Sequence, residues 1–98
     1  MKRAILTNKA VEDLASIWTY TYNKWSEKQA DEYYYTLIAT CNWLAENPCV
    51  GKPYAIIKEG LYGYKSGHHL IFYRVADEDT IEVIRFLHEM MDVRSRLR

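Results

Sequence analysis

The spacing of hydrophobic residues changes along the chain between the period of a strand and that of a helix. Short runs rich in β-branched and aromatic residues predict strands at about 3–7, 61–66, 69–76 and 80–88. Between the first two runs, apolar residues recur every three or four positions, which predicts two helices. The predicted order of elements is therefore β-α-α-β-β-β.

Each predicted helix has an apolar stripe that should face a core. The first stripe is Val11, Leu14, Trp18, Tyr22 and Trp25, and the second is Ala30, Tyr33, Leu37, Cys41 and Leu44. Because Trp18 and Leu37 lie within these stripes, we expect both side chains to be buried.

Polar residues mark where the helices should begin and end. Thr7 or Asn8 offers an N-cap for the first helix, and Ser26 followed by Gln29 forms a capping box for the second. Asn47-Pro48 should end the second helix, because a residue before proline is disfavoured in the α region. The short link between the helices predicts an antiparallel hairpin.

The strands that follow the helices should form one sheet. Segment 69–76 is apolar on both faces, which favours a central strand, and Asp77-Glu78-Asp79 should turn the last hairpin. The fold class is predicted to be α+β, with a helical hairpin packed on one antiparallel sheet. Residues 1–98 are expected to form a single domain.

Composition restricts the function. The 98 residues include 13 basic and 13 acidic side chains, so the formal net charge is zero. This balance disfavours a broad nucleic-acid surface, and we expect no direct sequence-specific nucleic-acid binding. Basic residues do crowd the C-terminus, where Arg94, Arg96 and Arg98 allow a small basic patch.

The sequence predicts a cytoplasmic protein. No apolar stretch approaches the ~20 residues of a membrane span, and the apolar run after Lys2 and Arg3 stops at Leu6, too early for a secretion signal. Cys41 and Cys49 do not make a disulfide framework, which is the usual pattern in a reducing compartment.

The three histidines are candidate metal ligands or acid–base groups. Adjacent strand residues point to opposite faces, so His68 and His69 should not share a metal, and no metal-binding motif surrounds them. A turn or hydrogen-bonded role is favoured for both. His88, at a strand end, is open to either a structural or a functional role. We expect no metal and no cofactor.

Two arginines interrupt otherwise apolar strands. A charge at Arg74 or Arg85 needs a partner, a wet face or a ligand. Either could hold a phosphate or carboxylate, or pair within the fold, for instance with Glu82 or an acidic residue of the helices. Glycines of a nucleophile elbow or a phosphate-binding loop are absent, so no catalytic residue is assigned.

Several motifs, taken in order, resemble the ParE toxins of the RelE/ParE superfamily from bacterial type II toxin–antitoxin modules. The matching pieces run nearly from end to end. They are Leu6-Thr7, Ala10, Asp13-Leu14, Ile17-Trp18-Thr19-Tyr20, Trp25, Glu27, Gln29-Ala30, Leu44-Ala45-Glu46-Asn47-Pro48, Gly51-Lys52-Pro53, Gly60-Leu61, Ser66-Gly67, His69, Phe72-Tyr73-Arg74-Val75, Ile84-Arg85, Leu87-His88 and Met91-Asp92.

The resemblance implies a small toxin that a cognate antitoxin holds inactive. Ribonuclease members of the superfamily cleave ribosome-bound messenger RNA with basic residues and a tyrosine or histidine. Leu70 stands at the position of one such basic residue, and segment 88–92 contains no tyrosine. ParE-like members instead poison DNA gyrase by protein contact, and we expect this activity here. The alternatives are a RelE-like endoribonuclease using Arg74, Arg85 and His88, or a nontoxic relic.

Two contact surfaces are predicted. Leu70, Phe72 and Arg74 alternate onto one face of the central strand and, with Arg85, should bind the antitoxin. The C-terminal segment should bind the target through His88, Met90, Met91, Arg94 and Arg96. The expected partners are the antitoxin and gyrase. Toxin and antitoxin could also assemble into a higher-order oligomer. No membrane partner is expected.

Overall fold

Two long helices follow the first strand, and four strands and a short helix follow them. The computed structural model describes residues 2–97. The elements are β1 (Arg3–Leu6), α1 (Asn8–Lys24), α2 (Glu27–Glu46), β2 (Lys52–Pro53), β3 (Tyr62–Ser66), β4 (His69–Asp77), β5 (Thr80–His88) and α3 (Val93–Arg96). The two-residue strand β2 and the single-turn helix α3 were not predicted from the sequence.

The predicted helix caps are confirmed. The hydroxyl of Thr7 accepts a hydrogen bond from the backbone N–H of Ala10 at 3.1 Å, and that of Ser26 accepts one from Gln29 at 3.1 Å. Each bond satisfies a backbone donor that has no partner within the helix. Helix α2 ends at Glu46, directly before Asn47-Pro48. The helices therefore begin and end where the local chemistry requires.

The five strands form one sheet in the order β1-β5-β4-β3-β2. Strands β2 to β5 pair antiparallel, whereas β1 pairs with β5 in parallel. The predicted fold class is confirmed, and the parallel pairing makes the sheet mixed.

The main core lies between the helical hairpin and the sheet. Ile71 and Tyr73 of β4, Val83 and Phe86 of β5, and Leu37 of α2 are fully or almost fully buried there. The predicted stripe of α2 is largely confirmed, since Ala30, Leu37, Cys41 and Leu44 are buried and Tyr33 is half-buried. Burial raises the pKa of the Cys41 thiol to about 12, so this cysteine is a neutral core residue.

A second buried cluster lies on the opposite face of the sheet. It contains Leu61, Phe72, Leu87 and Leu97. Side chains of successive strand residues alternate between faces, so Phe72 points away from the helices whereas Ile71 and Tyr73 point toward them. Leu97, directly after α3, places the C-terminal segment over this cluster.

The predicted stripe of α1 is out of phase with the buried face. Ala10, Leu14, Ile17 and Thr21 are the buried residues of this helix. Val11 and Trp25 are 54% and 63% exposed, and the expectation that Trp18 is fully buried is wrong. Trp18 is half-buried, because its indole N–H donates to the Asp31 carboxylate at 2.9 Å at the edge of the hairpin.

Among residues 2–97, none of the helices combines the length and the apolar character needed to cross a bilayer.

Candidate functional site

The surface predicted for antitoxin binding is partly covered by the chain itself. Phe72 is 0% exposed and packs with Leu61, Leu87 and Leu97, while Leu70 is half-buried at the edge of the same cluster. The expectation that Phe72 offers an exposed binding surface is wrong, because the Tyr54 ring packs on it with a centroid distance of 5.2 Å and Leu97 completes the same buried cluster.

Both arginines of the sheet pair within the fold. The guanidinium Nε of Arg74 lies 2.7 Å from the Glu82 carboxylate, a pair that is half exposed. Arg85 makes two bonds to the Asp13 carboxylate of α1, at 2.7 and 3.0 Å, and the same carboxylate accepts from the backbone N–H of Phe86. The hydrogen bonds that Arg85 donates to Asp13 raise the pKa of Arg85, which is therefore a permanent cation. The sequence left two roles open for these arginines, binding an anionic ligand or forming an ion pair within the fold. In the structure both form internal ion pairs.

The residues predicted to contact the target lie together after β5. Met90 is 83% exposed and Met91 is 40% exposed. Arg94 and Arg96 are exposed on α3, and Arg98 lies outside the described residues. The His88 ring accepts a hydrogen bond from the backbone N–H of Met90 through Nδ1, at 3.1 Å. This bond fixes the turn that carries both methionines.

The three histidines meet at one end of the sheet. His69 pairs directly with His88 across β4 and β5, and their ring centroids are 5.2 Å apart. The His68 ring stacks over His88 at 6.4 Å. The expectation that His68 and His69 diverge is wrong, because His68 lies in the turn before β4, where strand alternation does not apply.

Tyr33 of α2 holds this cluster against the helices. Its hydroxyl lies 2.6 Å from Nδ1 of His69 and 3.3 Å from the Ser66 carbonyl, and it accepts a bond from the backbone N–H of His68 at 3.1 Å. Burial, followed by the neighbouring histidines, lowers the pKa of His69 to about 4. At neutral pH His69 is therefore an uncharged, hydrogen-bonded ring, which confirms the structural role predicted for it.

A carboxylate borders the histidines on the solvent side. Glu89 lies 2.9 Å from the Lys65 ammonium and 2.8 Å from Nδ1 of His68. The hydrogen bond from Lys65 and then that from His68 lower the pKa of Glu89 to about 2. Glu89 is thus ionised at any physiological pH and is already engaged by two side chains.

Tyr33 and the three histidines form one wall of a groove of about 710 Å³ between the end of the helical hairpin and the end of the sheet. The opposite wall comes from the C-terminal half of α1 and the first turn of α2. The lining residues are Ser16, Ile17, Tyr20, Thr21, Lys24, Trp25, Gln29, Tyr33, His68, His69, His88 and Met91. Of the predicted site residues, the fold brings only His88 and Met91 to this groove.

Sequence reasoning missed the groove but contained a signal for part of it. Counting back along the hairpin from the Asp77–Thr80 pair places His69 opposite His88, since the two register shifts between β4 and β5 cancel. Nothing local indicated that Tyr33 or Trp25 would face these histidines. Those contacts depend on how the hairpin packs on the sheet.

The chemistry available here is hydrogen bonding and proton exchange at imidazole rings. Within residues 2–97, no three histidine, cysteine, aspartate or glutamate side chains are arranged to hold a metal ion. Arg74 and Arg85, which the endoribonuclease alternative requires beside His88, are held by Glu82 and Asp13 instead.

Two solved structures share the architecture. A chain of the chromosomal ParDE toxin–antitoxin system from P. aeruginosa superposes with a TM-score of 0.76 at 18% identity, covering 90% of this chain and 96% of that one. A chain of the toxin–antitoxin complex RelBE2 from Mycobacterium tuberculosis superposes with a TM-score of 0.64 at 23% identity, covering 89% of this chain and 96% of that one. At these identities the likeness concerns the fold alone.

Sequence comparison identifies the family. The model of the ParE toxin of the type II toxin–antitoxin system parDE matches residues 4–93. Toxin ParE1 of Caulobacter vibrioides is 39% identical over 97 residues, covering 99% of each chain. Toxin ParE1 of Mycobacterium tuberculosis is 38% identical over 91 residues, covering 93% of each chain. On the residues and the fold alike, this chain belongs to the ParE toxin family of type II toxin–antitoxin systems.

Proposed function

We propose that this toxin stops bacterial growth by binding a topoisomerase such as DNA gyrase, and that a cognate antitoxin neutralises it in the cytoplasm. The observation that carries the proposal is the segment from Met90 to Arg96. It presents two exposed methionines beside a basic helical turn, on a chain whose sheet arginines are both engaged internally.

The composition of this segment suits protein contact. Methionine side chains are flexible and polarisable, so they adapt to the surface of a partner. Arg94 and Arg96 are exposed on α3 and supply positive charge that could meet an acidic surface. The His88–Met90 hydrogen bond holds the turn in place, which lowers the entropy lost on binding.

The two arginines of the sheet, Arg74 and Arg85, are poorly placed to assist RNA cleavage. A nuclease needs free cations to stabilise the charge that develops on the phosphate in the transition state. Arg85 is only 17% exposed and donates twice to Asp13, so it would have to break that pair before it could reach a phosphate. Leu70 supplies no charge. These features favour inhibition by binding over catalysis.

The test compares two exposed apolar residues in a gyrase supercoiling assay with purified protein. Met90 is 83% exposed beside α3, and Ile56 is 87% exposed in the loop after β2. If Met90 is an anchor, Met90→Ala should raise the concentration for half-inhibition about tenfold, the effect of losing about 1.4 kcal/mol of binding. Ile56→Ala should leave it within about twofold, as expected for a residue outside the interface.

A parallel assay with translating ribosomes distinguishes gyrase inhibition from the endoribonuclease alternative. Cleaved messenger RNA together with uninhibited gyrase, and loss of cleavage in His88→Ala, would overturn the proposal. A higher-order toxin–antitoxin oligomer remains a prediction, which light scattering of the purified complex would test.

A further inference from the structure

The turn that carries the two exposed methionines is held by an atom that can take up a proton. The backbone N–H of Met91 donates to the His88 carbonyl at 2.9 Å, and that of Met90 donates to Nδ1 of the His88 ring at 3.1 Å. We infer that His88 is a pH-sensitive switch, whose protonation releases Met90 and weakens contact with the target. The part of this inference that concerns the target rests on the proposed function.

Only an imidazole without a proton on Nδ1 can accept the bond from Met90. The neutral His88 ring meets this condition when its proton is on Nε2, whereas a protonated ring carries hydrogens on both nitrogens. Two donors would then face each other, so the ring must turn away or the backbone of Met90 must move. Histidine is the side chain that commonly changes charge between about pH 5 and 8, so mild acidification reaches this bond.

The release should loosen the turn without unfolding it. The Met90 side chain is 83% exposed and packs little against the fold, so the bond to the ring is a main restraint on its position. The bond from the Met91 N–H ends on the His88 carbonyl and does not depend on the protonation of the ring. Met90 would therefore become mobile, and its ordering on binding would cost free energy that the neutral protein does not lose.

Other titratable and charged groups face the His88 ring from the elements around it. The His68 ring, in the turn before β4, stacks over it at 6.4 Å, and the His69 ring of β4 lies edge-on at 5.2 Å. Across the groove, the helices contribute Tyr20, Lys24 and Tyr33. A positive charge on His88 would be repelled by Lys24 and by a protonated His68, which favours movement of the ring.

The remaining neighbours keep their charge under mild acidification. Glu89, which follows His88 in the chain, is engaged by Lys65 and His68, and these contacts lower its pKa to about 2. Burial lowers the pKa of His69 to about 4, so this ring stays neutral. A response to mild acid can therefore be assigned by comparing His88 with His68.

Heteronuclear NMR of the purified toxin between about pH 8 and 6 tests the release, since histidines commonly titrate there. In the wild-type protein the Met90 amide resonance should shift together with the His88 ring resonances, with one common midpoint. His88→Gln keeps a hydrogen-bond acceptor that does not titrate, so its Met90 amide should stay in place. The matched control His68→Gln removes the neighbouring ring and should keep the response.

A Met90 amide that does not move while the His88 ring takes up its proton would overturn the inference. The same result follows if the response is lost in His68→Gln but kept in His88→Gln. Thermal unfolding shows that each variant is folded, and the titration of the wild-type protein needs no variant.

The effect on the target is measured in the gyrase supercoiling assay at both ends of this pH range. Wild-type protein and His88→Gln are compared at each pH, so the pH dependence of gyrase itself cancels. On acidification the half-inhibitory concentration of the wild type should rise about threefold or more relative to that of His88→Gln, because a mobile Met90 must be ordered on binding.

The outcomes of this assay separate the inference from the proposed function. An unchanged ratio in a wild-type protein that inhibits gyrase would overturn the inference and leave the proposed function intact. A wild-type protein that inhibits gyrase at neither pH would overturn the proposed function, and the NMR titration would then decide whether His88 holds the turn.

Discussion

At the scale of single residues, exposure decides what the two arginine ion pairs contribute. The Arg74–Glu82 pair has side chains 50% and 33% exposed, so water screens it. The Arg85–Asp13 pair has side chains only 17% and 15% exposed and includes a bond to the backbone of β5. Arg85 also donates to the Arg96 carbonyl, which links α1, β5 and the C-terminal segment.

Removing each arginine should therefore have very different effects on stability. We expect Arg85→Ala to cost about 3 kcal/mol, because it leaves the Asp13 carboxylate poorly solvated and without its partner. Arg74→Ala should cost about 0.5 kcal/mol or less, the usual value of an exposed pair. Urea unfolding monitored by circular dichroism measures both. Equal losses would show that Asp13 is solvated better than its burial indicates.

Protonation of His69 should make the stability of the fold depend on pH. Its pKa is lowered to about 4 in the folded chain, below the ordinary value of 6.5, mainly because of burial. The unfolded chain therefore binds a proton more readily between these two values. The resulting contribution to stability is complete above pH 6.5 and is lost as the pH falls from 6.5 toward 4.

The free energy of unfolding should fall by the order of 2 kcal/mol over that interval because of His69 alone. His69→Gln keeps a polar group opposite Tyr33 but does not titrate, so the variant should lose this slope. Urea unfolding at a series of pH values between 4 and 7 checks it. Glu89, whose pKa is lowered to about 2, loses its own contribution to stability as the pH falls below 4.5, so the two slopes are compared above that pH. An unchanged slope in His69→Gln would contradict the assignment.

At the scale of elements, α1 and α2 differ in how clearly their sequences define a buried face. In α2 the predicted stripe and the buried face largely agree. In α1 two apolar stripes lie side by side, one buried through Leu14 and Ile17 and one exposed through Val11 and Tyr22. Both stripes have helical spacing, so the pattern alone could not decide which one faces the sheet.

Substitutions at core and surface positions of the hairpin should differ in their effect on the free energy of unfolding. Leu37 is 0% exposed and Val11 is 54% exposed. Leu37→Ala should lower the free energy of unfolding by about 2–5 kcal/mol, since it opens a cavity between α2 and the sheet. Val11→Ala should change it by less than about 0.5 kcal/mol. A small loss for Leu37→Ala in thermal or urea unfolding would mean that the packing of the hairpin is misassigned.

At the scale of the whole molecule, the sheet separates two apolar clusters. The helical hairpin covers one face, and the C-terminal segment covers Phe72 and Leu87 on the other through Leu97, which is 9% exposed. The C-terminal segment, predicted only as a target contact, therefore also contributes to the buried core. Deletion of residues 90–98 would remove this cover together with the proposed target contact, so point variants are the better test of function.

The contribution of the tail to stability can be measured directly. Leu97→Ala should cost about 2 kcal/mol, at the lower end of the range for a buried leucine because 9% of its surface stays exposed. Arg96→Ala, an exposed neighbour on α3, should cost less than about 0.5 kcal/mol. Urea unfolding of both proteins gives the comparison, and equal values would place Leu97 outside the second cluster.

The sequence by itself determined the two long helices, the strands β1, β3, β4 and β5, and the fold class. The caps at Thr7 and Ser26, the end of α2 before Pro48 and the strand patterns act over a few residues, so they can be read locally. The same holds for most of the stripe of α2, since Ala30, Leu37, Cys41 and Leu44 are buried. The family was also visible in the sequence, because the order and spacing of several motifs together resemble the ParE toxins.

The tertiary structure alone decided which surfaces are free. Phe72 looked accessible in the strand pattern, but Leu97, 25 residues later, covers it. For Arg85 the sequence left an anion ligand and an internal ion pair open, and in the fold it pairs with Asp13 from the other end of the chain. Lys24, Trp25, Tyr33 and the histidines form one groove only because the hairpin packs at that end of the sheet. Each of these contacts joins residues far apart in sequence, and local propensity carries no information about which distant side chain will occupy a given face.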